Sequence, residues 1–232
     1  MQVALDIGQS EAFLSVRNRL LRIYEPVLYE GLIDPAEELV RAILGSGTRD
    51  AIRQSAFHGL RDRFALPALA EAEPQQIVPL IAAVDAAGDK AADIVLGLRR
   101  LKAISGDVRL DFLDDWSTAE ALRYLESLPG VDRTVAAAVL NFSTLHKPAL
   151  VFDAAVLRVL HRLGFLPPHV RDAAAAYDIV MPALEGWPAE DLFEFHWLLK
   201  QLGRELCSTL RTDCRACPLE PLCRKRGVKT FH

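Results

Sequence analysis

Cysteine is absent from the first 206 residues of this 232-residue chain, and aromatic residues make up only 7% of it. Nowhere does an apolar run approach the ~20 residues that a membrane-spanning helix needs. The N-terminus, M-Q-V-A-L-D-I-G-Q-S-E, has an early acid and no basic region, which argues against a secretory signal peptide. Repeats, low-complexity tracts and long linkers are missing too. What remains fits a soluble cytoplasmic protein. Its 51% apolar content can bury a core in one large domain or two small ones and argues against disorder.

The periodicity that is present is helical almost throughout. Ser10 is placed to cap a helix carrying Phe13, Leu14, Val16, Leu20, Leu21 and Ile23 on a 3.6-residue period. D-P-A-E-E-L-V-R-A-I-L-G marks another, with Asp34 as N-cap, Pro35 at the first helical position and Gly45 at the end. Further helices are expected near 49–64, 74–86 and 91–105. S-T-A-E at 117–120 is a capping box opening a helix to about Ser127. Later helices fall near 131–143, 153–163, 170–184 and 189–203. No pair of segments alternates convincingly as strands, so the fold class is all-α.

All four cysteines, Cys207, Cys214, Cys217 and Cys223, lie within seventeen residues with the spacing C-x6-C-x2-C-x5-C. In a reducing compartment such a cluster points to a metal centre rather than to disulfides. Structural zinc sites commonly use two close pairs, whereas only one, C-R-A-C, is present. Four thiolates in one short irregular loop better suit a cubane [4Fe-4S] cluster, with zinc and paired disulfides as alternatives. The same segment is basic. From Arg204 onward seven basic residues, Lys229 among them, face three acids, so this segment carries +4 and the rest −8 of the net −4. A positive tail on an acidic body suggests a localised polyanion contact, although a solubilising tail is the plainer alternative.

With G-R-x-x-C at 203–207 in front of it, the cysteine spacing resembles the iron–sulfur loop of the endonuclease III family, the helix-hairpin-helix (HhH-GPD) DNA glycosylases. A second motif is similar to the same family. In the stretch around L-P-G-V-D-R-T-V, Pro129 can end one helix and Gly130 can turn the chain, and the next helix start then offers backbone N–H groups to a phosphate. The resemblance implies that Leu128, Pro129, Gly130, Val131, Asp132 and Arg133 contact the DNA backbone. It implies the same for Arg211, Arg215, Arg224, Lys225 and Arg226 on the cysteine loop, as sequence-independent contacts.

The departures from the family pattern are as informative as the matches. Asp132 stands where the hairpin normally has a second glycine, and it can cap the following helix. Thr134 occupies the position of the lysine that strand-cutting members carry. A hydroxyl cannot form a Schiff base with the sugar aldehyde. Downstream, K-P-A-L-V-F-D-A-A-V resembles the segment V-D-T-H and places Asp153 on the catalytic aspartate. There a carboxylate can stabilise an oxocarbenium-like sugar or activate water, but Asp153 is equally a good N-cap. Ala155 replaces the histidine of that segment. Near L-G-S-G-T-R-D, Gly47 falls where the family's gap-filling glutamine would be, and Thr48, Arg49 and Asp50 are candidates beside it. His58, His146 and His161 have no ligand-like spacing. Lys147 is the amine considered as a substitute nucleophile.

The resemblance covers about residues 11–226 in the family's motif order. It implies a two-lobed fold, with residues 31–147 as a helical barrel domain with the hairpin. Residues 1–30 plus 148–232 would form an iron–sulfur cluster domain, and the substrate cleft would lie between the lobes. The implied function is a monofunctional DNA glycosylase of base-excision repair that removes a damaged or mismatched base. It would act on double-stranded DNA as a monomer, in the cytoplasm at the bacterial nucleoid. Extrusion of the base from the stack is part of that reading. The chain runs nine residues beyond Cys223, which the resemblance sets against recognition of adenine opposite oxidised guanine. The alternatives are a non-catalytic lesion- or structure-binding protein on this scaffold, or a lyase using another amine.

Overall fold

Asp34 opens the best-marked helix of the chain. Its Oδ1 accepts the N–H groups of Ala36 at 2.8 Å and Glu37 at 3.3 Å, and Pro35 needs no donor at the first position. The computed structural model describes residues 3–26 and 32–228, and Lys229 of the basic tail lies outside them. The helices are α1 (Val3–Leu20), α2 (Pro35–Gly45), α3 (Asp50–Arg63), α4 (Leu66–Glu71) and α5 (Pro74–Ile77). They continue as α6 (Ala87–Ser105), α7 (Thr118–Leu125), α8 (Arg133–Phe142), α9 (Ala154–Leu163), α10 (Ala173–Val180) and α11 (Ala189–Glu205). Among the described residues, extended pairing is confined to two isolated bridges, Ile33 with Ser143 and Cys207 with Thr212. No helix among them is long and apolar enough to cross a membrane.

Several boundaries differ from the sequence expectation: α4 has no expected counterpart, and the helix expected over 170–184 starts at Ala173 and tightens into a 3-10 turn at Met181–Leu184. Ser10 does not cap a helix: α1 already runs from Val3, because Gly8 is the weakest helix former ahead of it and its cost of about 1 kcal/mol does not stop a helix. The expected helix over 74–86 breaks at Ile77 and tightens into a 3-10 turn at Val78–Ile81, where Pro79 has no N–H to continue an α-helix. The next helix begins at Ala87, earlier than expected, after Ala86 takes a left-handed conformation at φ 53°.

The chain divides into two compact units, one of Gly31–Lys147 and one of Met1–Glu30 with Pro148–His232. In the first, α8 is the central helix, every residue from Val135 to Phe142 being buried, and α2 packs along it. Leu39, Ile43, Leu60, Ile77, Ile94, Leu98 and Leu125 close the core around it, each such side chain contributing about 1.5–3 kcal/mol of burial. The main chain of Thr144 donates to Ile33 O at 3.1 Å, which ties the two ends of this unit together.

The second unit joins the two ends of the chain. Phe13 of α1 stacks on Phe165 at 4.2 Å and meets Phe195 edge-on, while Arg17 bridges Asp191 and Glu194 of α11. Helices α9 and α11 approach closely at Gly203. A Cβ added there would stand 3.1 Å from that of Ala155 and 3.3 Å from Val159 Cγ2. Gly203→Val is therefore expected to cost about 1–3 kcal/mol through overpacking. The measurement is the urea midpoint of unfolding, and an unchanged midpoint would contradict this account of the α9–α11 contact.

Candidate active site and cysteine loop

The hairpin forms where the sequence places it. Ser117 and Glu120 make a reciprocal capping box at the start of α7. The chain then turns through Leu128–Val131 into α8. Gly130 sits at φ 69°, and a Cβ on it would lie 2.6 Å from Asp93 Cβ, so only glycine fits. Leu128 and Val131 are buried, so the turn can offer a phosphate their backbone but not their side chains. Asp132 caps α8 by accepting the N–H of Val135 at 2.9 Å. Arg133 is held by Glu126, at 2.6 Å from Nε to Oε1 and 3.2 Å from Nη2 to Oε2. Thr134 lies half-buried in the first turn of α8.

In the same unit, the loop from Gly45 to Arg49 is organised by a residue that sequence reasoning missed. Lys90 is 8% exposed, and its Nζ donates to Leu44 O at 3.1 Å, to Thr48 Oγ1 at 3.1 Å and to Ser46 O. Thr48 Oγ1 in turn accepts the Asp85 N–H at 3.2 Å. Burial holds the Lys90 ammonium below its ordinary pKa, with Asp85 acting in the opposite direction. Gly47 turns this loop at φ 69°, Arg49 is exposed, and Asp50 pairs with Arg53 at 3.3 Å. The available signal was positional: Lys90 shares the α6 face of Ile94, Leu98 and Leu101, where an apolar residue is expected. Lys147, also in this unit, donates its Nζ to Asp114 O and Trp116 O, each at 2.8 Å.

Asp153 begins α9 in the other unit. Its Oδ1 accepts the N–H groups of Ala155 and Val156, both at 2.9 Å, and Lys200 of α11 stands 3.1 Å from its Oδ2. Burial alone would raise the pKa of this carboxyl. His196, Lys200 and the Val156 N–H outweigh that effect and hold it below the usual carboxylate range. His196 Nδ1 lies 2.9 Å from Val151 O, and since a carbonyl can only accept, that nitrogen carries the proton.

The four thiols are free and half-buried. Burial pushes the thiols of Cys217 and Cys223 up, and for both the charges of the neighbouring cysteines add to it, so the four sulfurs lie within electrostatic reach of one another. Arg162 Nη1 donates to Cys207 Sγ at 3.2 Å, and the Lys225 N–H donates to Cys223 Sγ at 3.3 Å. Among the described residues no group of three or more His, Cys, Asp or Glu is arranged to hold a metal ion. Arg211, Arg215, Arg224 and Lys225 are exposed around the loop, whereas Arg226 turns inward and donates to Leu166 O.

Endonuclease III of Thermotoga maritima is 30% identical to this chain over 199 residues, which make up 84% of this chain and 86% of that protein. The chain belongs to the endonuclease III family. Within that family, the chloroplastic endonuclease III homolog 1 of Arabidopsis thaliana is 27% identical over 189 residues. The match takes in 80% of this chain, which spans only 48% of that relative's length. In fold, the chain is similar to endonuclease III in a non-covalent complex with DNA, with a TM-score of 0.76 and 22% identity, covering 93% of this chain and 95% of that one. No protein-family model matches the chain. Lys200 and His196 lie outside the motifs quoted from the family and are found only through contacts across 45 to 47 residues.

Asp153→Ala removes both the cap and the ion pair and is expected to lower the unfolding free energy by about 2–3 kcal/mol. Asp153→Asn keeps an oxygen able to cap and should lose less. The carboxyl pKa is lowered in the folded state, so its contribution is present above the unfolded value and fades as pH falls through the folded one. Urea titrations from neutral to acid pH check both points. Wild type should lose this increment on acidification, and Asp153→Asn should not.

Proposed function

We propose that this member of the endonuclease III family is a monofunctional DNA glycosylase of base-excision repair. It would hydrolyse the N-glycosidic bond of a damaged or mismatched base without an efficient AP-lyase step. The observation that carries this reading is the Asp153 carboxylate, kept ionised by Lys200 at the start of α9, in a chain whose hairpin has Thr134 at the lysine position. As the base departs with the bonding electron pair, positive charge develops on the sugar, and an anionic carboxylate stabilises it. Water then adds at C1′ and gives up a proton, which Asp153 can accept. The hydroxyl of Thr134 can hydrogen-bond but cannot form the imine that begins strand cleavage.

The partner is double-stranded DNA carrying the lesion. The turn Leu128–Asp132 offers it backbone groups, and Arg211, Arg215 and Arg224 offer exposed charge for phosphates, whereas the Lys225 ammonium is paired with Glu220 at 2.5 Å. The inward ties of Arg133 and Arg226 make those two weaker contacts than the resemblance implies. Gly47, Thr48 and Arg49 of the loop after α2, with Asp50 at the start of α3, would meet the gap left by the extruded base. The cysteines are suited to a [4Fe-4S] cluster held by Cys207, Cys214, Cys217 and Cys223. The spacing of the four cysteines supports that centre, and the N–H donors at Cys207 Sγ and Cys223 Sγ would stabilise thiolates there. A zinc ion would draw all four sulfurs to about 2.3 Å from one point. When bound, the cluster would cross-link the loop.

The lyase reading also has one specific observation in its favour: the Lys200 amine lies beside Asp153. A base-release assay on duplexes with uracil, thymine or ethenoadenine lesions separates the readings. Wild type is expected to leave abasic sites that break only after alkali, and Asp153→Asn to be slower by on the order of a hundredfold to a thousandfold. Scission without alkali would overturn the monofunctional assignment. Release of no base by folded, cluster-loaded protein would leave the lesion-binding alternative.

A further inference from the structure

Helix α11 presents two basic side chains one turn apart, His196 and Lys200, to the short segment that leads into Asp153. His196 donates to Val151 O, two residues before the carboxylate, and thereby holds the main chain. Lys200 meets the carboxylate itself at 3.1 Å and is 8% exposed. The ring of Trp197 lies 4.9 Å from the same Nζ, so the ammonium is placed by an aromatic face as well as by its counter-ion. Asp153 Oδ1 is already committed to the N–H groups of Ala155 and Val156. A carboxylate has about four acceptor sites. Three are therefore occupied, and one on Oδ2 is left to meet a reacting group.

We propose that Lys200 is a positioning residue for Asp153, fixing the orientation and the charge of the carboxylate while His196 fixes the chain that carries it. The inference rests on Asp153 being the carboxylate that serves base release. With only the helix cap, the carboxyl group could pivot about its bonded oxygen. The ammonium on the second oxygen removes that freedom. The titratable and charged groups around Asp153 are His196 and Lys200 from α11 and Arg158 from its own helix. Lys200 is the one that pairs with it directly.

Carbon-13 carboxyl shifts of Asp153, followed against pH, test the idea without requiring activity. In Lys200→Met the Asp153 midpoint should move to higher pH, and in Lys200→Arg it should stay near the wild-type value. An unmoved midpoint in Lys200→Met would sink the proposal. Should Lys200→Met fail to fold by circular dichroism, Lys200→Gln gives the same neutral comparison. Single-turnover release from a uracil:guanine or thymine:guanine duplex supplies the second readout. Lys200→Met should slow it by on the order of tenfold or more, the size of one hydrogen bond to a charged group. Its acid limb should also move to higher pH. Borohydride trapping of a protein–DNA adduct that vanishes in Lys200→Met would make Lys200 a nucleophile and overturn the positioning role. If wild type releases neither base, the glycosylase reading fails for those lesions, and the carboxyl titration still decides the role of Lys200.

Discussion

The close approach of α9 to α11 is the contact on which the Asp153 side of this protein depends. Gly203 has no side chain and Ala155 has a single methyl, so the two helices can lie near enough to exchange polar contacts along their length. Towards the start of α9, Lys200 reaches Asp153. Further along, Arg158 Nη2 donates to Gly203 O at 2.8 Å, and its Nε donates to Cys207 O at 3.0 Å. At the end, Arg162 donates to Cys207 O and Ser208 O. One ten-residue helix thus holds the carboxylate at one end and the first cysteine of the loop at the other.

The hairpin unit is organised by a comparable economy of buried polar groups. Lys90 satisfies carbonyls at the end of α2 and a hydroxyl in the following loop, and burying an ammonium is tolerable because its donors meet three acceptors. Gly130 gives the hairpin both its left-handed turn and the space taken by Asp93. Asp132, which replaces a glycine of the family pattern, serves as the cap of α8. Its carboxylate is engaged with the N–H of Val135, in the first turn of that helix.

Much of the fold was legible in local chemistry. The caps at Asp34, Ser117, Asp132 and Asp153 form as their residue types require, because the partner N–H groups lie two or three residues away. The interior of α1 and the break at Pro79 were read less well. A favourable cap residue such as Ser10 does not start a helix if nothing ahead of it stops one, and the 74–86 pattern hid a proline that cannot donate. Ala155 looked like the loss of a histidine. Beside Gly203 it is the residue that lets α9 and α11 meet.

The sequence by itself determined the all-α class, the positions of most helix starts, the turn at Gly130 and the clustering of four thiols in one basic segment. Each of these follows from interactions between residues a few positions apart, or from spacing alone. Tertiary structure decided which charges meet: Lys200 with Asp153, Lys90 with the loop after α2, Arg133 with Glu126 instead of solvent, and Arg162 with the backbone of Cys207. Helical periodicity says which face a residue shares. It does not say which distant face that one will touch, because the partner is selected by packing across the chain.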